Sequence, residues 1–155
     1  MKEYRTYTCG ELREKHVGEK IKLAGWIQTI RDLGGVIFID LRDQYGVTQI
    51  VASGDGKLVD FATRIPIEST VSVEGTVRLR DEDTVNLKIE TGTVELFIEK
   101  IEILGKRTKA LPFEIEASRD VKEELRLKYR YLDLRNSKCR DNLIALVEVV
   151  KISEP

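Results

Sequence analysis

The segment Gly25–Ala52, read GWIQTIRDLGGVIFIDLRDQYGVTQIVA, constrains the fold more than any other part of the sequence. It contains runs rich in β-branched and aromatic residues, separated by glycine-containing breaks at Leu33–Gly35 and Gln44–Gly46. Such runs between glycine turns are typical of consecutive antiparallel strands. The segment therefore predicts three strands: one ending at Arg31, one over Val36–Arg42 and one over Val47–Ala52.

The middle strand has one apolar and one mixed face, because side chains alternate between the faces of a sheet. Ile37, Ile39 and Leu41 fall on one face, and Val36, Phe38, Asp40 and Arg42 fall on the other. An aromatic side chain that shares its face with charges is a candidate surface for stacking a nucleic-acid base. The sequence leaves open that a loop or helix covers Phe38, which would then pack as an ordinary core residue.

Further elements precede and follow these three strands. A capping box at Thr8–Glu11 predicts a short helix over Cys9–His16, and Gly25 within the first strand predicts a bulge. The later elements are a helix over Lys57–Arg64 with Leu58, Phe61 and Ala62 facing inward, a fourth strand over Val71–Leu79, and a fifth strand from Val94 with a bulge near Glu99. This order predicts an all-β fold, a five-stranded Greek-key barrel of the OB type whose second and third strands form the nucleic-acid face.

The pattern changes after the predicted barrel. Residues 105–120 contain glycine, proline and charged residues, a composition typical of a linker. From Val121 onward, apolar residues recur at helical spacing. We therefore expect an OB-fold domain over residues 1–104, a linker over 105–120 and a helical segment over 121–155.

Composition limits the functions that this chain can have. The net charge is −1 with 34% charged residues, so no overall basic field favours non-specific nucleic-acid binding, although selective binding of one small loop needs none. No apolar run approaches the ~20 residues of a membrane span, so we expect no membrane partner and a cytoplasmic location. Cys9 and Cys139 lack metal-ligand spacing and His16 is the only histidine, so no metal site or catalytic residue is predicted.

Two segments resemble a known family. GWIQTIRDLGGVIFIDLRDQYGVTQIV is similar to the N-terminal anticodon-binding region of bacterial-type aspartyl-tRNA synthetases, and ELRLKYRYLDLR is similar to the segment that joins this region to their catalytic core. The resemblance implies an OB-fold domain that binds the anticodon stem-loop of aspartate tRNA, within a homodimeric ligase that uses ATP and Mg²⁺. The class II motifs that hold ATP and aspartate are absent from this sequence. We therefore expect the chain alone to hold no cofactor and to be inactive in aminoacylation.

The resemblance also implies roles for four residues, each with a structural alternative. Phe38 matches the aromatic residue that stacks on the central uridine of the anticodon. Gln49 matches the glutamine that reads the edge of that uridine, since an amide offers a donor and an acceptor; the alternative is an exposed, solvated strand glutamine. Arg31 matches an arginine that meets a base edge or phosphate, unless it pairs with Asp32. Glu95 matches the acidic residue that helps to read the first anticodon base, unless it is a solvated carboxylate.

Other functions remain open from the sequence. An asparaginyl-tRNA synthetase would share the fold and the central uridine of its anticodon, although LRLKYRYLDLR favours the aspartyl enzyme. A free-standing single-strand-binding OB protein would need a basic groove and several aromatics, of which this chain offers few. A barrel that docks a protein through Phe38 is another possibility. Leu33 stands where the resembled enzymes have leucine or histidine, and leucine accompanies those confined to aspartate tRNA.

Overall fold

Five strands close into a barrel in the order β1-β2-β3-β5-β4 in the computed structural model, which describes residues 4–54 and 56–153, with only the backbone at Ser153. The elements of the barrel are β1 (Lys20–Asp32), β2 (Val36–Arg42), β3 (Val47–Ser53), α1 (Gly56–Thr63), β4 (Thr70–Leu79) and β5 (Val94–Gly105). Neighbouring strands are antiparallel except β3 and β5, which are parallel. The predicted OB fold is confirmed. Residues 1–3, 55 and 154–155, which the predicted domain ranges include, lie outside the described residues.

The inward face of β2 forms the centre of the barrel core. Ile37, Ile39 and Leu41 are each at most 1% exposed, whereas Phe38 and Asp40 between them are half-buried on the outside. The predicted alternation is therefore confirmed for these residues. Burying each large apolar side chain stabilises the fold by roughly 1.5–3 kcal/mol. A one-residue slip of β2 would expose the whole set, so the core fixes which side chains point outward.

The bulge in β1 lies at a different residue from the one predicted. Pairing with β2 shifts between Ile27 and Thr29, so Gln28 is the extra residue and Gly25 is not. Gly25 is required for another reason, because a Cβ at this position would lie 2.4 Å from the carbonyl oxygen of Arg42. A bulge reverses the alternation of the residues that follow it. It thus turns the side chain of Arg31 to the outside of the barrel.

The N-terminal helix predicted over Cys9–His16 was also wrong. Only a 3-10 helix over Glu14–His16 forms, preceded by turns. The backbone N–H of Cys9 donates a hydrogen bond of 2.9 Å to Oδ2 of Asp43, far away in sequence. A tertiary contact therefore holds this segment in place of the local helix that the capping box favours.

Of the three residues of α1 predicted to face the barrel, Ala62 is buried and Leu58 packs partly buried against the core, whereas Phe61 does not. Val59 and Ala62 are buried, and Ile65 follows them at the same spacing of three residues. Phe61, predicted to face inward, is 45% exposed. The reason is that Ile65, beyond the end of the helix, extends the buried face and sets its direction.

The chain divides into two compact units, Met1–Thr108 and Lys109–Pro155. The second unit contains a 3-10 helix (Ser118–Asp120), α2 (Glu123–Lys128), α3 (Arg130–Asp133) and α4 (Ser137–Ser153). Phe113, Ile115 and Leu132 form its small core. Burial of Asp133 would raise its pKa, but hydrogen bonds from Arg126, Ser118 and Cys139 outweigh burial and lower the pKa below its usual value.

Candidate nucleic-acid interface

The four residues singled out from the sequence all lie on the outer face of the barrel, on neighbouring strands. Arg31 pairs with Phe38 across β1 and β2, and Phe38 pairs with Val51 across β2 and β3. Gln49 lies on β3, two residues before Val51, and Glu95 lies on β5, which runs parallel to β3. The closed barrel thus brings together side chains that are up to 64 positions apart in the sequence (95 − 31).

Three of these side chains form a continuous hydrogen-bonded row. Nη2 of Arg31 donates to Oε1 of Gln49 at 3.3 Å, and Nε2 of Gln49 donates to Oε2 of Glu95 at 2.9 Å. Gln49 is only 6% exposed, so it is not the solvated strand glutamine of the structural alternative. The row places an amide between a cation and an anion at the surface of the sheet.

The ion pair of Arg31 is with Asp40 and not with Asp32. Nη2 of Arg31 lies 3.3 Å from Oδ1 of Asp40, whose other oxygen accepts a hydrogen bond from the hydroxyl of Thr29. Asp40 lies directly across from Gln49 in the β2–β3 pairing. It therefore holds the guanidinium beside the amide, a role for which its shared face with Phe38 was the only indication in the sequence.

Phe38 is half-buried next to this row. Its neighbours across the sheet are Arg31 on one side and Val51 on the other, and Val51 in turn lies beside Phe97 on β5. The ring is therefore supported at its edges by the sheet while remaining accessible. An accessible aromatic ring beside polar groups with fixed positions can stack a base and present donors and acceptors to its edge.

Arg80 is a further charged residue of the site that sequence reasoning missed. It is only 8% exposed, and its Nε donates to the carbonyl of Val94 at 3.1 Å. Burial lowers the pKa of its guanidinium, while Glu95 and Asp40 raise it and Arg31 lowers it, so Arg80 interacts electrostatically with the charges of the row. The alternation along β4, which places Arg80 on the outward face with Thr76, was the available signal.

One donor of Arg80 remains without a partner. Its Nη2 is buried and forms no hydrogen bond with any residue in the described ranges 4–54 and 56–153, whereas Nη1 donates to the carbonyl of Thr84 at 3.4 Å. A buried donor without a partner costs about 1–3 kcal/mol.

The described residues offer neither a metal site nor a membrane helix. No group of three or more His, Cys, Asp or Glu side chains in this part of the chain is arranged to hold a metal ion. Among the described helices, none has the length and apolar character needed to cross a bilayer.

Known proteins resemble this chain along nearly its whole length. An aspartate–tRNA(Asp/Asn) ligase from Thermotoga neapolitana is 50% identical over 148 residues, which are 96% of this chain and 25% of the relative. A protein of the same name from Ruegeria sp. (strain TM1040) is 43% identical over 151 residues, which are 97% of this chain and 25% of the relative. The chain thus spans about a quarter of the length of the curated relatives that it matches. The resemblance inferred from the sequence is confirmed.

Solved structures show the same fold. The asparaginyl-tRNA synthetase from Pyrococcus horikoshii complexed with asparaginyl-adenylate matches with a TM-score of 0.71 and 30% identity, over 89% of this chain and 30% of that one. The aspartyl tRNA synthetase from Entamoeba histolytica matches with a TM-score of 0.77 and 22% identity, over 89% of this chain and 34% of that one. At the lower identity, the likeness shows the fold alone.

A family model covers the barrel. Residues 21–104 match the model of the tRNA anti-codon family, described as an OB-fold nucleic acid binding domain. The match includes Arg31, Phe38, Gln49, Glu95 and Arg80, and it spans more than half of the 155 residues. The chain belongs to this family of OB-fold nucleic acid binding domains.

Proposed function

We propose that this chain is the tRNA recognition module of an aspartate–tRNA ligase and that it binds the anticodon stem-loop of aspartate tRNA. The observation that carries the proposal is the hydrogen-bonded row of Arg31, Gln49 and Glu95 beside the accessible ring of Phe38. Membership of the OB-fold nucleic acid binding family and the names of the relatives support it. The outer face of β1, β2, β3 and β5 is the surface that meets the RNA.

Phe38 stacks on the central uridine of the anticodon. Every base has a π-face, so stacking supplies affinity without choosing among bases, roughly 1–3 kcal/mol per base. The choice must come from groups that meet the edge of the base. Gln49 is such a group, because it lies on the adjacent strand in the row that flanks the ring.

The row around Gln49 gives a physical reason for distinguishing uridine from cytidine. Arg31 can only donate and the carboxylate of Glu95 can only accept, so the Gln49 amide is held with its oxygen toward Arg31 and its nitrogen toward Glu95. The amide keeps one further lone pair and one further N–H for a ligand. Uracil and cytosine present opposite groups at positions 3 and 4 of the ring. An amide with a fixed orientation therefore pairs with one of them and opposes the other.

The charged groups beside Gln49 bind the parts of the anticodon that flank the central uridine. Glu95 uses one carboxylate oxygen for Gln49, and the other is available to the first anticodon base. The exposed guanidinium of Arg31 is a donor for base edges or phosphate oxygens.

This chain spans about a quarter of the length of the relatives. We infer that the other parts of the ligase carry out the reaction itself. In the full-length enzyme, we propose that the OB domain over residues 1–104 supplies recognition and that residues 105–120 connect it to a helical hinge over 121–155. ATP and Mg²⁺ would be bound by the catalytic domain, which joins aspartate to the tRNA. A homodimer in the cytoplasm belongs to the same proposal.

The relatives' names and Leu33 favour different tRNA preferences. The relatives are named for both aspartate and asparagine tRNA, whereas leucine at position 33, 72% exposed in the β1–β2 loop, favours aspartate tRNA alone. The asparagine anticodon shares the central uridine, so the row around Gln49 does not separate the two. We propose aspartate tRNA as the ligand, and comparing the affinities of the two stem-loops tests the choice against the asparaginyl alternative.

The amide of Gln49 provides the direct test of the proposed function. We expect Gln49→Ala to retain stacking on Phe38 but to lose the preference for uridine, worth about 1–3 kcal/mol for a well-placed amide–base pair. Fluorescence anisotropy would measure the Kd of aspartate anticodon stem-loops with uridine or cytidine at the middle position. Gln49→Met is the matched variant, because it keeps the length of the side chain without the amide.

The parent protein should bind the uridine stem-loop more tightly, and both Gln49 variants should bind the two RNAs alike. A folded Gln49→Ala protein that still prefers uridine would show that another residue reads the base. Equal binding of the two RNAs by the parent would contradict the proposed role of the row.

A further inference from the structure

Arg78 and Phe97 form a cation–aromatic pair on the outer face, outside the row already described. The guanidinium carbon of Arg78 lies 3.8 Å from the centre of the Phe97 ring. Phe97 is half-buried on β5, and Arg78 is exposed on β4 directly across from Glu95. The side chain of Arg78 forms no hydrogen bond or ion pair with any residue in the described part of the chain, so the ring of Phe97 is the contact that orients its guanidinium.

The pair lies within reach of an RNA strand bound at Phe38. Val51 is paired with Phe38 on one side and with Phe97 on the other. The two rings are therefore separated by two strand spacings, about 10 Å. An RNA strand that stacks one base on Phe38 and continues across β3 and β5 passes over Phe97.

An arginine held in this way is prepared to bind an anion. A guanidinium is planar, and its N–H donors lie in its plane and match the oxygens of a phosphate. When a ring covers one face of the guanidinium, the donors at its edges still point to solvent. Holding the long side chain in advance reduces the conformational entropy that binding would otherwise cost.

We propose that Arg78 binds a backbone phosphate of the RNA that Phe38 engages, and that Phe97 is the residue that positions it. This inference rests on the proposed function, because it requires RNA on this face. With a net charge of −1, the chain has no general basic surface, so a single oriented cation at this place has a measurable share in binding the backbone.

Salt dependence distinguishes a phosphate contact from a merely structural role. The Kd of the full chain for the aspartate anticodon stem-loop would be measured by anisotropy over a series of salt concentrations. Arg78→Gln should weaken binding several-fold and reduce the slope of log Kd against log salt by about 0.7–1, the change for one phosphate contact. Phe97→Leu should produce most of the same change although every charge remains.

Matched variants isolate the positioning role of the ring. Phe97→Tyr keeps an aromatic face and should retain the parent affinity and slope. Lys22→Gln removes a cation that lies 3.7 Å from Glu74 on another part of the barrel, and it should leave both quantities unchanged. The double variant Phe97→Leu/Arg78→Gln should bind no more weakly than Arg78→Gln, because the ring acts through the arginine.

Two results would overturn the inference: an unchanged salt slope in folded Arg78→Gln, or additive losses in the double variant. If Phe38→Ala still weakens binding in the same assay, only the phosphate position is wrong. If Phe38→Ala also leaves binding unchanged, the proposed function itself is wrong.

Discussion

Replacing Phe38 with alanine should weaken binding of the aspartate anticodon stem-loop about ten- to a hundredfold, because stacking of a base on an aromatic ring contributes roughly 1–3 kcal/mol. The ring is half-buried on the outer face, whereas the core side chains Ile37 and Ile39 beside it are buried on the inner face. The variant should therefore remain folded. Anisotropy gives the affinity, and urea unfolding followed by the fluorescence of the single tryptophan gives the stability.

A second phenylalanine provides the control for Phe38. Phe61 on α1 is 45% exposed and lies outside the strands that carry the row, Phe38 and Phe97. Phe61→Ala should leave RNA affinity unchanged. If Phe38→Ala instead lost roughly 3–5 kcal/mol of folding stability, the usual cost of truncating a core phenylalanine, Phe38 would be a core residue and the stacking role would be refuted.

The alternation of side chains explains why much of the site could be predicted from the sequence. A strand places every second residue on the same face, so the apolar series Ile37, Ile39 and Leu41 was sufficient to place Phe38 outside. The glycine-bounded strands gave the order of elements, and the resemblance supplied roles for Gln49 and Glu95. These inferences use local patterns and strand order, which the sequence records directly.

The parts that could not be predicted depend on pairing between distant segments. The position of the bulge at Gln28 follows from how β1 pairs with β2, and this bulge, not a local motif, directs Arg31 outward. Arg80 joins the site because the barrel brings its guanidinium near Glu95 and Asp40. The bulge leaves no periodic signal in the sequence, and the alternation along β4 places Arg80 on a face without showing which charges it meets there.

The position of Arg42, on the strand face that carries Phe38, also depends on a distant segment and could not be predicted from the sequence. By alternation it should lie outside with Phe38 and Asp40, yet its side chain is buried. The segment between α1 and β4 covers this end of the face, and Glu68 from that segment accepts hydrogen bonds of 2.7 and 2.8 Å from Nη2 of Arg42. One end of the outer face of β2 thus stabilises the barrel, and the other end is open to a ligand.

Removing the carboxylate of Glu68 should destabilise the barrel by about 3–5 kcal/mol, because it removes the negative charge that accepts two hydrogen bonds from the buried guanidinium of Arg42. Glu68 also donates its backbone N–H to the carbonyl of Ile27 at 2.6 Å, so the pair connects β2 and β1 to the segment before β4. Trp26, the single tryptophan, lies 5.8 Å from the guanidinium carbon of Arg42 and reports unfolding of this region. Urea unfolding of Glu68→Ala, followed by its fluorescence, measures the loss.

Two control variants separate the buried charge pair from other effects at Glu68. Glu74→Ala breaks exposed ion pairs of 3.8 and 3.7 Å with Lys20 and Lys22 and should cost no more than about 1 kcal/mol. Glu68 has a φ of 63°, which glycine adopts without strain, so Glu68→Gly removes the carboxylate and relieves the backbone together. If the charge pair dominates, Glu68→Gly should still be much less stable than the parent. A Glu68→Gly protein as stable as the parent would show that the ion pair contributes little, and the stability of this end of the barrel would then have to come from apolar packing alone.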